Sequence, residues 1–207
     1  MKLSERLKKE LAKSKLLQNV WVPKPEILLC PNVPRPLHRM PPRVIYGESW
    51  WNKTRQAAYR STNFHCLACG VSKYEAHYHK WLEGHELYDI DYTKGLMTYL
   101  ETVPLCHFCH NSIHDGRMLA LLKKGEIHHH KYAAILKHRD TVLAKAGLQK
   151  MTQAEREKEF LTLQSKGLVA SWKQWRLVLD GRKYAPKYKS LREWEEGHNA
   201  STGKDES

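Results

Sequence analysis

Residues 64–118 read FHCLACGVSKYEAHYHKWLEGHELYDIDYTKGLMTYLETVPLCHFCHNSIHDGRM. Two Cys-x-x-Cys pairs, Cys66/Cys69 and Cys106/Cys109, bracket a segment of 36 residues, 70–105, that holds the step His85-Glu86. Two cysteines separated by two residues wrap one tetrahedral ion, and two such pairs complete a closed four-sulfur site for Zn²⁺. Closed coordination leaves no open position, so this ion is expected to staple strands to a helix. Five cysteines, an odd number, argue against a disulfide framework. Cys30 is the one left over and is read as an ordinary thiol.

His110 and His114 follow the second pair directly. Four residues apart on a helix, they share a face and can share a metal ion. Alternatively, one of them joins the zinc site in place of a cysteine. His85 stands alone in a strand-like stretch between Gly84 and Glu86. A neutral imidazole near a bound metal can take a proton from water close to neutral pH. His77 and His79 share one side of a possible strand and are candidates to face the site. The run His128-His129-His130 is a weaker metal candidate, because nothing in the sequence fixes its geometry.

Outward from this stretch, the 36-residue insert is long enough for two strands, within Ala76–Asp91 and Gly95–Leu105. From His107 a single helix is expected to run to about Gly125. Upstream, ESWWNKTRQAAYR (48–60) reads as a helix with Trp51, Arg55, Ala58 and Tyr59 on one side. Trp50 and Trp51 are read as core rather than base-stacking residues. Seven of the nine prolines fall in 22–42, which excludes a regular helix or central strand. An extended arm anchored by Ile27, Leu28 and Leu29 is expected there. Leu3, Leu7, Leu11, Leu16 and Leu17 predict a first helix with a narrow apolar stripe. Downstream, helices are expected over Lys131–Ala146 and from the capping box Thr152/Glu155 to about Ser165. Trp172, Trp175, Val178 and Leu179 form a short apolar element, helix or hairpin, before Asp180-Gly181. The last ten residues are expected to be disordered.

The fold class is therefore α+β: a small ββα core with a four-cysteine zinc site, surrounded by helices and extended basic arms. The divisions are 1–47, 48–126, 127–197 and a tail, 198–207.

The chain has 207 residues and a net charge of +13. Residues 1–60 carry thirteen Lys/Arg against four Asp/Glu, residues 61–130 six against eight, and residues 131–207 sixteen against ten. Basic flanks around a slightly acidic centre suit a polyanion that is held by the arms and processed between them. Arg35, Arg39, Arg43, Lys53 and Arg55 are the candidate nucleic-acid contacts. No apolar run is long enough to span a bilayer, so no membrane partner is expected. The N-terminal stretch lacks the apolar core of a secretory signal, and a soluble intracellular protein is expected.

Cys66–Cys69, then His85-Glu86-Leu87-Tyr88-Asp89-Ile90-Asp91, then Leu105-Cys106-His107-Phe108-Cys109-His110-Asn111-Ser112-Ile113-His114 together resemble the zinc-containing HNH endonucleases of the ββα-metal fold. The resemblance covers about residues 50–120. It implies that His85 activates water for attack on a phosphodiester. His110 and His114 would hold one divalent ion, Mg²⁺ or Mn²⁺, and the cysteines the structural zinc. Its substrate would be DNA, double-stranded, and its setting a bacterial or bacteriophage protein in the cytoplasm, the host's if phage-encoded. Gly84 stands where many members have Asp or His, and no Asn is evident in the loop before the helix. Glu83, Glu86, Asp89 and Asp91 are candidates for the missing oxygen ligand. The rival reading is a non-catalytic, zinc-stabilised DNA- or RNA-binding protein, regulatory or a packaging accessory. A third is a protein-interaction module.

Overall fold

The insert between the cysteine pairs folds into two antiparallel strands, β1 (Glu83–Asp91) and β2 (Leu96–Leu105). Their register runs from Glu83 opposite Leu105, through His85 opposite Val103, to Asp91 opposite Leu96. A bulge between Leu87 and Tyr88 leaves Leu100 unpaired and exposed, a device that bends a strand and re-aims its side chains. The structure is a computed structural model that describes residues 21–202, with side chains through 197. The helix expected over the first leucines lies outside the described residues.

Residues 76–82, expected as strand, form bends and irregular backbone instead. Tyr78 there has φ 79°, which breaks an extended run. The helix expected as one piece from His107 is two: α2 (His107–Ile113) and α3 (Asp115–Lys123), joined at His114 with ψ 43°. Asp115 is pinned just past the joint by Arg156 at 2.5 Å and Lys150 at 3.9 Å.

Helix α1 (Pro42–Ser61) covers the expected 48–60 and adds a first limb before a break at Gly47, φ 81°. Its proline-rich approach is anchored through Ile27 and Leu28 as expected, but it is not extended throughout. It makes two short 3₁₀ turns, Pro25–Leu29 and Arg35–Leu37, and buries Ile27, Leu28 and Leu37. Helix α4 (His129–Lys145) ends before Gly147 at φ 69°, the left-handed stop that glycine permits. Helix α5 (Gln153–Ser165) opens on the capping box, with Thr152 and Glu155 bonding each other's amides.

The apolar element near Trp175 is a hairpin, β3 (Arg176–Leu179) and β4 (Arg182–Tyr184). Asp180 and Gly181 both have positive φ, 48° and 77°, as a tight two-residue hairpin turn requires. β3 pairs parallel with β2, giving the sheet order β1-β2-β3-β4. The tail expected to be disordered is helical at its start: α6 spans Leu191–Thr202. Ser190 Oγ accepts from the Glu193 amide and Trp194 packs on His38, so tertiary contact outweighs the polar composition.

One apolar cluster (Leu28, Tyr59, Leu82, Val103, Leu105, Ile113, Leu143) surrounds the cysteines. A second (Leu37, Met97, Trp175, Leu177, Leu179) lies at the other end of the sheet. Among the described residues no helix is long and apolar enough to cross a membrane.

Candidate metal centre

Cys66, Cys69, Cys106 and Cys109 converge with their sulfurs within 4.8 Å of one another, so they could hold an ion such as zinc. The first pair sits on a tight turn: Gly70 N–H donates to Cys66 O and Cys66 N–H to Val71 O, with Gly70 at φ 80°. The Leu67 amide donates to Pro104 O at 2.8 Å, which ties this turn to the end of β2. The second pair straddles the start of α2. Burial raises the Cys66 thiol, but hydrogen bonds from Cys106, Cys109 and Cys69 outweigh it and hold Cys66 well below the ordinary range. Contact with Cys106, then Cys66 and Cys69, pushes Cys109 up. A dication bound among them lets every sulfur be a thiolate. His138 Nε2 stands 3.2 Å from Cys109 Sγ.

The second group is His85, His110 and His114, with one ring nitrogen of each within 4.8 Å of the others. Their ring centroids are 5.4 Å (85–110), 5.1 Å (85–114) and 4.8 Å (110–114) apart. Strand alternation turns His85 toward α2, while His110 lies on α2 and His114 at its end. His85 is 6% exposed, and its buried Nδ1 has no hydrogen-bond partner. Burial, then the charges of His114 and His110, lowers its pKa to about 2. Burial, then His110 and Arg117, lowers His114 to about 3. Both rings are therefore neutral, with lone pairs for a metal.

Glu83, two residues before His85, faces the same side of β1. Its Oε2 contacts His110 Nδ1 directly, while its Oε1 lies 2.8 Å from His107 Nδ1 and 3.0 Å from His79 Nε2. Burial alone would raise the Glu83 carboxyl; hydrogen bonds from His107 and His110 overcome it and hold the group far below the usual carboxylate range. An ionised Glu83 fixes a proton on His110 Nδ1 and leaves Nε2 as its free lone pair, the carboxylate–histidine arrangement common behind metal ligands.

Gly84 points the other way, while Glu86 lines the same cleft as the three histidines. A Cβ on Gly84 would lie 2.9 Å from Trp51 Cη2 and 3.3 Å from Thr102 Cγ2, so a ligand side chain there would meet α1. Glu86 pairs with Arg43 at 3.2 Å, and Asp91 accepts from the Lys94 amide in the β1–β2 turn. Neither joins the histidine group. Asp89 lies farther along β1, outside the cleft lining.

His85, His110 and His114 line a cleft of about 890 Å³ whose walls also carry Arg39, Arg43, Arg117 and Lys187, with Glu86 as a carboxylate on the same lining. Of the five expected nucleic-acid contacts, Arg39 and Arg43 line it. Arg35 lies over the Trp194 ring, and Lys53 and Arg55 sit farther along α1. His77 stacks on Phe108, away from the trio. His128, His129 and His130 stack on one another at the start of α4. Trp50 packs on Tyr46 and Tyr99, and Trp51 covers Gly84.

Glu83 had a legible signal, because residues 83 and 85 share a strand face. His107 stands three residues before His110 on the helix. Arg117, Lys187 and His138 had none, since they arrive through tertiary packing. Compared with family models, with curated proteins and with solved structures, the chain matches none.

Proposed function

We propose that this protein is a metal-dependent DNA endonuclease of the HNH type. The observation that supports it is the meeting of His85, His110 and His114 in one cleft beside Arg39, Arg43, Arg117 and Lys187. β1, β2 and α2 then correspond to the ββα-metal unit, with the four cysteines as its zinc staple.

The cationic walls bind the phosphate backbone and set one phosphodiester against the histidines. His85, whose Nδ1 has no partner, takes a proton from water as the water oxygen attacks phosphorus, the negative charge of the bound phosphate offsetting the burial that otherwise lowers its basicity. The phosphorus–oxygen ester bond breaks and the leaving oxygen collects a proton from solvent. Glu83 keeps His110 in one tautomer and orientation throughout. A divalent ion held by His110 and His114 would supply charge stabilisation at the phosphate and the leaving oxygen. The donor set is imidazole without a carboxylate in the group, which suits Mn²⁺, Ni²⁺ or Zn²⁺ better than the oxygen-seeking Mg²⁺.

Supercoiled plasmid incubated with each ion tests the reading. Nicking should be fastest with a transition ion and should vanish with His114→Ala. Wild-type protein that binds plasmid yet leaves it supercoiled with every ion would leave the rival, a zinc-stabilised nucleic-acid-binding protein.

A further inference from the structure

His79, Glu83 and His107 form a cluster apart from both groups above, with one donor atom of each within 4.8 Å of the others. Here Glu83 Oε1 faces two imidazole nitrogens, His107 Nδ1 at 2.8 Å and His79 Nε2 at 3.0 Å. Around a zinc-type ion with bonds of about 2.0–2.1 Å, neighbouring ligand atoms lie about 2.9–3.4 Å apart. The Glu83 oxygen is therefore close to the spacing that one ion demands from each imidazole, and the two imidazole donors lie within 4.8 Å of each other.

Hydrogen bonding leaves one conflict in this cluster. The Asn111 amide nitrogen lies 3.1 Å from His107 Nδ1 while donating to His107 O at 2.8 Å. A proton on Nδ1 would suit Glu83 but confront the amide; a lone pair there would suit the amide but confront the carboxylate. A cation between Nδ1 and Oε1 removes the conflict with the carboxylate, because both atoms then donate lone pairs to it. The imidazoles are also held in place. The His79 side chain is 9% exposed, meets Glu83 through Nε2 while its buried Nδ1 has no hydrogen-bond partner, and stacks on Trp81 at 3.6 Å and 3°. His107 stacks on Tyr78 at 4.2 Å.

We propose that His79, Glu83 and His107 form a third metal site, for a divalent transition ion of the zinc class, with Glu83 linking it to His110. Two histidines and one carboxylate are a set that zinc takes with a fourth position open. Occupancy would anchor Glu83 and, through it, the orientation of His110. The site stands on its own residues and does not depend on the protein being a nuclease.

The test uses the full chain, equilibrated with Zn²⁺, desalted and measured for zinc per chain. The variants are His79→Ala/His107→Ala and His85→Ala/His114→Ala. Each should lose about one equivalent relative to wild type, and their combination about two. Substituting Co²⁺ should preserve the thiolate charge-transfer band in all of them, reporting that the four-cysteine site and its fold survive. Should the first variant fail to fold, anomalous diffraction at the zinc edge from wild-type crystals decides. A peak among His79, Glu83 and His107 supports the site; peaks at the cysteines and the His85 trio without one there overturn it. A folded His79→Ala/His107→Ala variant with wild-type zinc content also overturns it. If His85→Ala/His114→Ala alone keeps its zinc, the metal assignment under the nuclease reading fails and this site stands.

Discussion

Glu83 and His110 are in direct contact across the gap between β1 and α2, carboxylate to Nδ1. His85 faces the same gap from two residues farther along the strand. The strand thus carries both the group that would orient a metal ligand and the group that would accept a proton.

Removing the charge of Glu83 should weaken that orientation without a large change in shape. Glu83→Gln is expected to lower plasmid nicking about 10–100-fold, the usual scale for losing such a supporting contact. DNA affinity, measured by fluorescence anisotropy, should stay within about twofold. A variant that nicks at the wild-type rate would remove Glu83 from the account.

Gly84 is expected to be required by packing rather than by chemistry. Gly84→Ala places a methyl against the Trp51 ring, 2.9 Å from its nearest atom, at a cost of about 1–3 kcal/mol. In a Trp51→Leu background the same substitution should cost less than about half as much. Urea denaturation of the four proteins measures the coupling; equal penalties in both backgrounds would contradict the contact.

The cysteine cluster should carry much of the stability. Structural zinc contributes apparent binding energies of about 10–16 kcal/mol in small zinc domains, comparable with the whole stability of a typical domain. Cys106→Ser is therefore expected to abolish cooperative thermal unfolding, as should a strong chelator acting on the wild type. An unchanged Tm in either case would show that the cysteines merely pack.

Acid should destabilise the protein through its neutral histidines. His85 at about 2 and His114 at about 3 both lie below the ordinary imidazole value of about 6.5. Below about pH 6.5 the unfolded chain binds protons that the folded one refuses, so stability falls with pH from there toward about 3. Denaturation midpoints at pH 7.5, 6.5 and 5.5, with the histidine sites stripped by mild chelation, should fall in the wild type. They should fall less steeply in His85→Asn/His114→Asn; equal slopes would contradict the burial of neutral rings.

Much of this arrangement was legible from spacing. The cysteine pairs announced their own meeting, because Cys-x-x-Cys geometry is local and needs only one contact between the two turns. His110 and His114 were legible for the same reason, although His114 closes a helix instead of continuing one. Thr152 and Glu155 announced α5 by their side chains alone. What stayed hidden came from distant parts of the chain. β3 is four residues long and finds its place beside β2 only because Leu177 is buried in the second apolar cluster. α6 reads as polar until Trp194 meets His38. Gly84 looked like a missing ligand, and its reason is a tryptophan 33 residues earlier in the chain.

The most direct measurement is the single-turnover rate of plasmid nicking with Mn²⁺ for wild type and His85→Ala, with binding to the same plasmid followed in parallel. The account predicts that wild type converts supercoiled to open-circular plasmid. His85→Ala should bind with similar affinity and nick at least about 100-fold more slowly. Undiminished nicking by His85→Ala would contradict the assignment of the base, and no nicking by the wild type would contradict the enzyme.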